Sequence, residues 1–311
     1  MRMLVVGAGA TGGYFGGRLA QHGRDVSFLV RPARAAALRG SGLQLVSPHG
    51  NATITPSVIA TGELRDRFDA VLLTVKAWSL PEALDDVAPA VGPDTMILPV
   101  LNGMRHVDAI ATRFTPDNLV GCVCRVATSL REDGVIVQLA PFQEVSYGEM
   151  HAPNGRRIAA LDDFMRNAGF DARASAVIEH EMWEKWVTLA TLGGMTCLLR
   201  GNVGEIVAVD GGRDFVLALL REVTRVAAAA GFPMSEAFLA RTRSMLTAEG
   251  SSFASSMYRD LVQGQRIEAD QIVGDLVRRG RQLGIAMPLL EAAWSHLQIV
   301  LMRIGSAAEK R

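Results

Sequence analysis

Lysine is scarce in this chain of 311 residues: only Lys76, Lys185 and Lys310 are found among its 32 lysines and arginines. Any step that needs an ammonium group therefore has few candidates. Cysteine is nearly as rare and odd in number, with Cys122, Cys124 and Cys197. A one-residue gap between the first two is neither a zinc-ligand nor a redox spacing, so the expectation is small buried thiols in a reducing compartment and no metal site. Net charge is missing as well, since 32 basic residues balance 32 acidic ones. Bulk attraction to a polyanion is thereby excluded, and nucleic acid is not an expected partner. Long apolar runs are absent too. The most apolar stretch, Trp186 to Leu199, is broken by Thr188, Thr191, Gly193, Gly194 and Thr196, short of the roughly 18 apolar residues that mark a membrane span. At the N-terminus Met3-Leu4-Val5-Val6 is too short for the apolar core of a signal peptide and meets glycine at once. The expected setting is the cytoplasm, with no membrane partner.

What is present suits a core-forming protein: 49% of residues are hydrophobic and 21% charged. This length favours two domains over one. Residues 1 to about 100 alternate short apolar runs with helical patterns. Met3 to Val6, Asp25 to Val30, Ala70 to Val75 and Met96 to Val100 read as buried parallel strands, with helices over Gly13 to His22 and Pro81 to Ala90 between them. Such alternation predicts an α/β doubly wound Rossmann sheet. Val123 to Ser129, Val135 to Leu139 and Glu144 to Tyr147 look like short strands around a turn at Glu132-Asp133-Gly134, an antiparallel addition at the sheet edge. From about residue 177 the strand signals stop. Helical periodicity runs through Glu179 to Leu199, Asp214 to Ala230, Ser235 to Leu246, Arg266 to Leu283 and Pro288 to Ile304, punctuated by Gly231-Phe232-Pro233 and the segment from Gly284 to Pro288. The expected plan is a nucleotide-binding domain over residues 1–176 and an all-α substrate and catalytic domain over 177–311, with a ligand cleft between them. The last helix suits either the core or a homodimer interface.

The first motif is Gly7-Ala8-Gly9-Ala10-Thr11-Gly12, a G-x-G-x-x-G that follows a strand and opens a helix, the context such a motif needs to hold a dinucleotide. Gly7 permits the tight turn, Gly9 the approach of the pyrophosphate, and Gly12 close packing of helix on strand, while the helix N-terminus supplies N–H donors. An acidic residue closing the second strand would bind the ribose hydroxyl of NAD. Here the strand closes on Leu29-Val30-Arg31-Pro32, with Arg34 close behind. The Arg31 guanidinium suits a 2′-phosphate, so the expected cofactor is NADP, used as NADPH.

Hydride reduction of a ketone also needs a proton donor and an anchor for the substrate. The six histidines are scattered, and only His106 lies near a candidate loop. Lys76 ends a strand at the carboxyl edge, where ligands bind in such sheets. Lys185 stands in Met182-Trp183-Glu184-Lys185-Trp186. Partial desolvation by two tryptophans would lower its pKa towards neutrality, unless Glu181 or Glu184 pairs with it.

Five segments, in order and spacing, resemble the ketopantoate reductase (2-dehydropantoate 2-reductase) family: the glycine motif, Thr74-Val75-Lys76-Ala77-Trp78, Leu101-Asn102-Gly103-Met104, Trp183-Glu184-Lys185-Trp186, and Ser255-Ser256-Met257-Tyr258-Arg259-Asp260 followed by Glu268. The resemblance spans nearly the whole chain. It implies a C-terminal domain like that of 6-phosphogluconate dehydrogenase and NADPH-dependent reduction of ketopantoate to pantoate, in pantothenate biosynthesis. It also implies Lys185 as general acid and Glu268 as its partner towards substrate and cofactor. Asn102 and Lys76 would then stand at the nicotinamide edge, Ser256 on the substrate carboxylate and Asn202 as a further polar contact. The pattern departs at Leu189 and Gly193, where the family has asparagines four and eight residues after the lysine. A less polar 2-oxo acid is therefore expected, with Thr188 or Thr191 compensating in part. Other readings remain open: a non-catalytic NADP-binding regulator, a 6-phosphogluconate- or 3-hydroxyacid-type dehydrogenase, or an enzyme acting on an opine-type imine. Trp78, Trp183 and Tyr258 are expected to pack rather than bind.

Overall fold

A computed structural model describes residues 1–308 of the chain, so Lys310 lies outside the described residues. The chain folds into two compact units, Met1–Leu101 with His106–Glu179, and Asn102–Arg105 with His180 onward.

In the first unit the chain runs β1 (Arg2–Val6), α1 (Ala10–Gln21), β2 (Asp25–Val30), α2 (Pro32–Ser41), β3 (Leu43–Val46), β4 (Ala52–Ile54), β5 (Ser57–Ala60), β6 (Ala70–Leu73), α3 (Leu80–Val87), β7 (Met96–Pro99), α4 (Arg105–Arg113), β8 (Val120–Leu130), β9 (Ile136–Glu149), α5 (Arg156–Met165) and β10 (Asp171–Ala174). Five strands form one sheet in the order β5-β2-β1-β6-β7, and every pair in it is parallel. This is the expected doubly wound sheet. Its inner strands β1 and β6 are almost continuous apolar runs because both faces are covered. Leu4, Val6, Val71 and Leu73 pack on one side with Leu80, Leu84 and Val87 of α3, and Met3, Val5, Phe28 and Leu72 pack on the other with Tyr14 and Phe15 of α1.

The antiparallel piece expected at the sheet edge is a sheet of its own. Its path is β10-β9-β3-β4, with β8 paired to β9. The expected strands Val135–Leu139 and Glu144–Tyr147 are one strand, β9, which runs through Pro141; the register of its pairing with β8 shifts between Val126 and Thr128. Helix α1 lies between the two sheets, which accounts for its glycines. A side chain at Gly16 would meet the Phe28 ring and Val5, whereas one at Gly13 or Gly17 would meet Ile136 or Leu43 of the second sheet. The Tyr14 hydroxyl adds a hydrogen bond to Gln138 Oε1 at 2.7 Å.

The second unit is helical: α6 (Ile178–Leu199), α7 (Val203–Ala208), α8 (Gly212–Ala229), α9 (Glu236–Leu246), α10 (Ser256–Val262), α11 (Asp275–Gln282) and α12 (Pro288–Ala308). The single helix expected from Arg266 to Leu283 instead begins with a π turn, Asp270–Gly274, that runs into α11. Side-chain caps fix three helix starts: Asn202 forms a capping box with Glu205 on α7, Ser235 caps α9 and Ser255 caps α10. Buried Glu222 accepts the Leu289 and Leu290 N–H groups that open α12, at 3.2 and 2.9 Å. The three cysteines are buried thiols outside any disulfide, and burial pushes the Cys197 thiol up to about 12. Among the described residues no helix is long and apolar enough to cross a membrane, and no group of three His, Cys, Asp or Glu side chains is placed to hold a metal ion.

Candidate active site

The glycine turn of the first unit is held from two sides. Gly7, at the end of β1, takes φ +92°, a left-handed conformation that favours glycine. Its N–H donates to Leu29 O of β2 at 2.9 Å. Thr74, just past β6, donates its hydroxyl to Val6 O and Gly7 O at 2.6 and 3.0 Å. A Cβ at Gly12 would overlap that hydroxyl and the Gly7 carbonyl, so only glycine lets α1 start this close to the strands. Gly9 is the opposite case, because nothing lies within 4 Å of where its Cβ would be. The missing side chain leaves open space at the N-cap of α1, whose first turn has neither a capping side chain nor an acidic residue. N–H groups without helix partners, a positive dipole end and a bare approach fit the pyrophosphate of a dinucleotide. Ala8 is buried beneath this turn, and Ala10 and Thr11 are half-buried on it.

Two arginines follow β2, and they are used differently. Arg31 is the extended N-cap of α2 and pairs with Glu82 at 3.1 Å, both side chains exposed. Arg34, one turn on, lays its guanidinium against the glycine turn, with Nε and Nη2 donating to Ala8 O at 3.3 and 3.2 Å. Nη2 also reaches Gly134 O at 3.3 Å, in the turn between β8 and β9. Burial lowers the pKa of Arg34. Arg34 thus braces the glycine turn against the β8–β9 hairpin, a role that the position of Arg31 hides from a sequence reading. Lys76, exposed one turn past β6, holds its ammonium 5.7 Å from the centre of the Trp78 ring. His106 is buried in the first turn of α4.

The second unit gathers most of the other candidates. Asn102–Arg105 pack with this unit. Asn102 Nδ2 donates to Glu268 Oε2 at 3.3 Å, and Arg105 pairs with Asp270. A Cβ at Gly103, with φ +78°, would strike the Gln271 carbonyl, so the approach of this loop to the π turn needs glycine. Glu268 is 8% exposed, a carboxylate largely removed from water. The Ile272 N–H donates to Glu268 O, and Ile272 O accepts the Trp186 indole N–H at 2.8 Å. Trp186 is the neighbour of half-buried Lys185 on α6, so the helix carrying the lysine is pinned one turn beyond the carboxylate. The flanking tryptophans are core: Trp183 stacks on Phe232 at 5.2 Å and lies 4.9 Å from Trp186. Glu184 faces His180 at 4.0 Å.

The polar anchors divide. Asn202 spends its carbonyl oxygen on Glu205 N in the capping box, which leaves the amide NH₂ as its donor. Ser255 is buried, accepting Tyr258 N and sharing a hydrogen bond with Thr196 at 2.9 Å, whereas Ser256 is exposed in the first turn of α10. Tyr258 donates its hydroxyl to Arg200 O at 2.7 Å. Between them these residues carry the hydroxyl, amide, carboxylate and ammonium groups that binding a carboxylate and protonating a carbonyl require.

Residues 3–152 match the family model described as ketopantoate reductase PanE/ApbA, and residues 177–300 match its C-terminal counterpart. The chain belongs to the ketopantoate reductase family. An uncharacterized oxidoreductase, YkpB of Bacillus subtilis, is 34% identical over 96% of this chain and 98% of its own length. The crystal structure of 2-dehydropantoate 2-reductase from Methylococcus capsulatus superposes with a TM-score of 0.87 at 27% identity, covering 98% of each chain. A D-mandelate dehydrogenase solved with NADH and anilino(oxo)acetate shares the fold, with a TM-score of 0.86 at 24% identity over 98% of this chain and 99% of its own. As a ketopantoate reductase family member the chain is an oxidoreductase with a parallel Rossmann-like sheet followed by a helical domain. Within that family frame, two features of this chain escaped the sequence reading. One is the arginine under the glycine turn. The other is Trp186, whose bond to the π turn joins residues 86 positions apart.

Proposed function

We propose that this protein is a cytoplasmic enzyme that reduces a 2-oxo acid to the 2-hydroxy acid with NADPH, ketopantoate or a less polar relative being the substrate. In this reading residues 1–176 bind the nucleotide and residues 177–311 carry the substrate and the proton donor. The observation that carries it is the Asn102–Glu268 pair at the π turn to which α6, the helix of Lys185, is pinned.

When bound, the nicotinamide nucleotide supplies the hydride. Gly7, Gly9 and Gly12, with Ala8, Ala10 and Thr11, give its pyrophosphate a backbone cradle. Arg31 is assigned to the 2′-phosphate. No carboxylate closes β2 to compete, and exposed pairs like that of Arg31 with Glu82 contribute only about 0.2–1 kcal/mol, so a phosphate dianion can displace Glu82. Lys76 and Asn102 position the nicotinamide end and the substrate. Ser256 holds the substrate carboxylate, and the Asn202 amide makes a further polar contact to the substrate. The ketone oxygen gathers negative charge during reduction, and the Lys185 ammonium holds a proton for it. Glu268 keeps that ammonium oriented and accepts hydrogen bonds from substrate and cofactor; its burial strengthens each of these.

The deciding measurement is NADPH oxidation over a panel of 2-oxo acids by the wild type and a Lys185→Ala variant, with NADPH affinity read separately by calorimetry. The variant is expected to bind NADPH as the wild type does and to lose about a hundred- to ten-thousandfold in turnover. A wild type that binds NADPH yet reduces no 2-oxo acid would sink the reading in favour of a nucleotide-binding regulator.

A further inference from the structure

On α6, Leu189 and Gly193 stand one and two turns beyond Lys185 and drift only about 40° per step around the helix. Neither brings a polar side-chain atom to that face. Three nearby hydroxyls are turned back onto their own helix. Thr188 donates to Glu184 O at 3.0 Å, Thr191 to Val187 O at 2.8 Å and Thr196 to Leu192 O at 2.6 Å. Ser255, on α10, is engaged with Thr196 and Tyr258 N. The notch left by Gly193 is filled, because a Cβ there would stand 2.7 Å from the Met257 methyl. Met257 is 2% exposed and follows Ser256 directly. At the other end of this segment Phe253 is an exposed ring whose carbonyl accepts Val203 N at 2.9 Å, next to Asn202.

We infer that the surface beyond Lys185 is apolar, presented by half-buried Leu189 with Met257 filling the notch at Gly193 behind it, and that the substrate is a 2-oxo acid whose side chain is hydrocarbon, with Leu189 as a specificity-determining residue. The inference rests on the reductase reading above. A side-chain hydroxyl pressed against this wall leaves water and meets neither an amide nor a free donor, because Thr188, Thr191 and Thr196 spend their protons on their own helix and the notch holds a methyl group. That loss disfavours a hydroxylated substrate by about ten- to a hundredfold.

Trimethylpyruvate and ketopantoate test this directly, since they differ by one hydroxyl. With NADPH saturating, kcat/KM is expected to favour trimethylpyruvate about tenfold or more. Leu189→Asn, which offers an amide at the wall, is expected to move that ratio at least about tenfold towards ketopantoate. Leu189→Gln, which sets a longer amide at the same half-buried position, reads the same ratio if Leu189→Asn does not fold. A wild-type preference for ketopantoate, or a ratio unmoved in the folded variant, overturns the inference while leaving the reductase reading intact. Turnover of neither acid, nor of any other 2-oxo acid, removes the reductase reading and this inference with it.

Discussion

Arg31 and Arg34 are three residues apart, yet they are built for different work. The Arg31 side chain is exposed and its one ion pair is on the surface, so removing it disturbs little else in the fold. Arg34 is half-buried and bonded to the carbonyls of Ala8 and Gly134, so removing it leaves both carbonyls short of a donor and unties the hairpin from the glycine turn. An Arg31→Ala variant is therefore expected to weaken NADPH by about tenfold or more while leaving NADH nearly unchanged, because only NADPH carries the phosphate. Arg34→Met is expected to weaken both nucleotides alike, by about tenfold, since the damaged part is the pyrophosphate cradle they share. Calorimetric titration of the two nucleotides into each variant separates the cases. A selective loss of NADPH in Arg34→Met would transfer the phosphate-reading role to that residue.

Among the elements, the π turn at Asp270–Gly274 does the most to organise the second unit. A π turn leaves the regular ladder of helical hydrogen bonds and is often found at functional sites. Here the Ile272 carbonyl is taken by Trp186 and the Asp270 carboxylate by Arg105 and Arg278, so helix α6 and the Asn102–Arg105 loop are both fastened to the segment that follows Glu268. Trp186→Phe keeps the ring and loses the donor. It is expected to cost about 1–3 kcal/mol in urea unfolding, through the buried carbonyl left without a partner. It is also expected to lower kcat and shift the alkaline limb of the pH–rate profile, with KM for NADPH unchanged, because in the proposed reading Glu268 orients the Lys185 ammonium and this bond anchors the helix of the lysine to the segment after Glu268. A stability loss with an unaltered pH profile would make Trp186 a packing residue only. None of this was legible in the periodicity, which presents Arg266 to Leu283 as one helix. The extra residue of a π turn is stabilised by partners distant in the chain, and local pattern carries no record of them. That the antiparallel piece is a sheet of its own, joined by β3 and β4, was missed for the same reason. Strand β3 has only four residues and pairs with β9 from nearly a hundred positions away, at Leu45 with Ile136. By contrast, β2 was readable to the residue, because a strand buried on both faces is mostly apolar whatever its neighbours are, and here only Asp25 at its start and Ser27 interrupt the run. The candidate site divides in the same way. The glycine motif and Lys185 stand out locally. Arg34 shows its value only once the β8–β9 turn is folded onto it, and Met257 only once α10 fills the notch at Gly193.

At the scale of the molecule, the proposed chemistry is divided between two units with unlike construction. The first is a pair of sheets around α1, in which the glycine turn is locked by strand and threonine contacts. The second is a set of capped helices, in which the Asn102–Arg105 loop joins the segment around Glu268. Ligands should reveal that division in amide exchange, since a ligand that binds only the native form stabilises what it touches, by about 2.7 kcal/mol at a hundredfold excess over Kd. NADPH alone is expected to slow exchange in peptides covering residues 7–13, 31–36 and 74–79. Residues 200–208 and 253–262 should stay near their free rates. Addition of trimethylpyruvate to a Lys185→Ala protein already saturated with NADPH is then expected to protect residues 200–208 and 253–268, because binding there depends on Asn202, Ser256 and the apolar wall rather than on proton transfer. Protection by the acid confined to the glycine turn would mean that the carboxylate competes for the pyrophosphate cradle. The assignment of Ser256 and Asn202 to substrate would then fall, even if the nucleotide site stood.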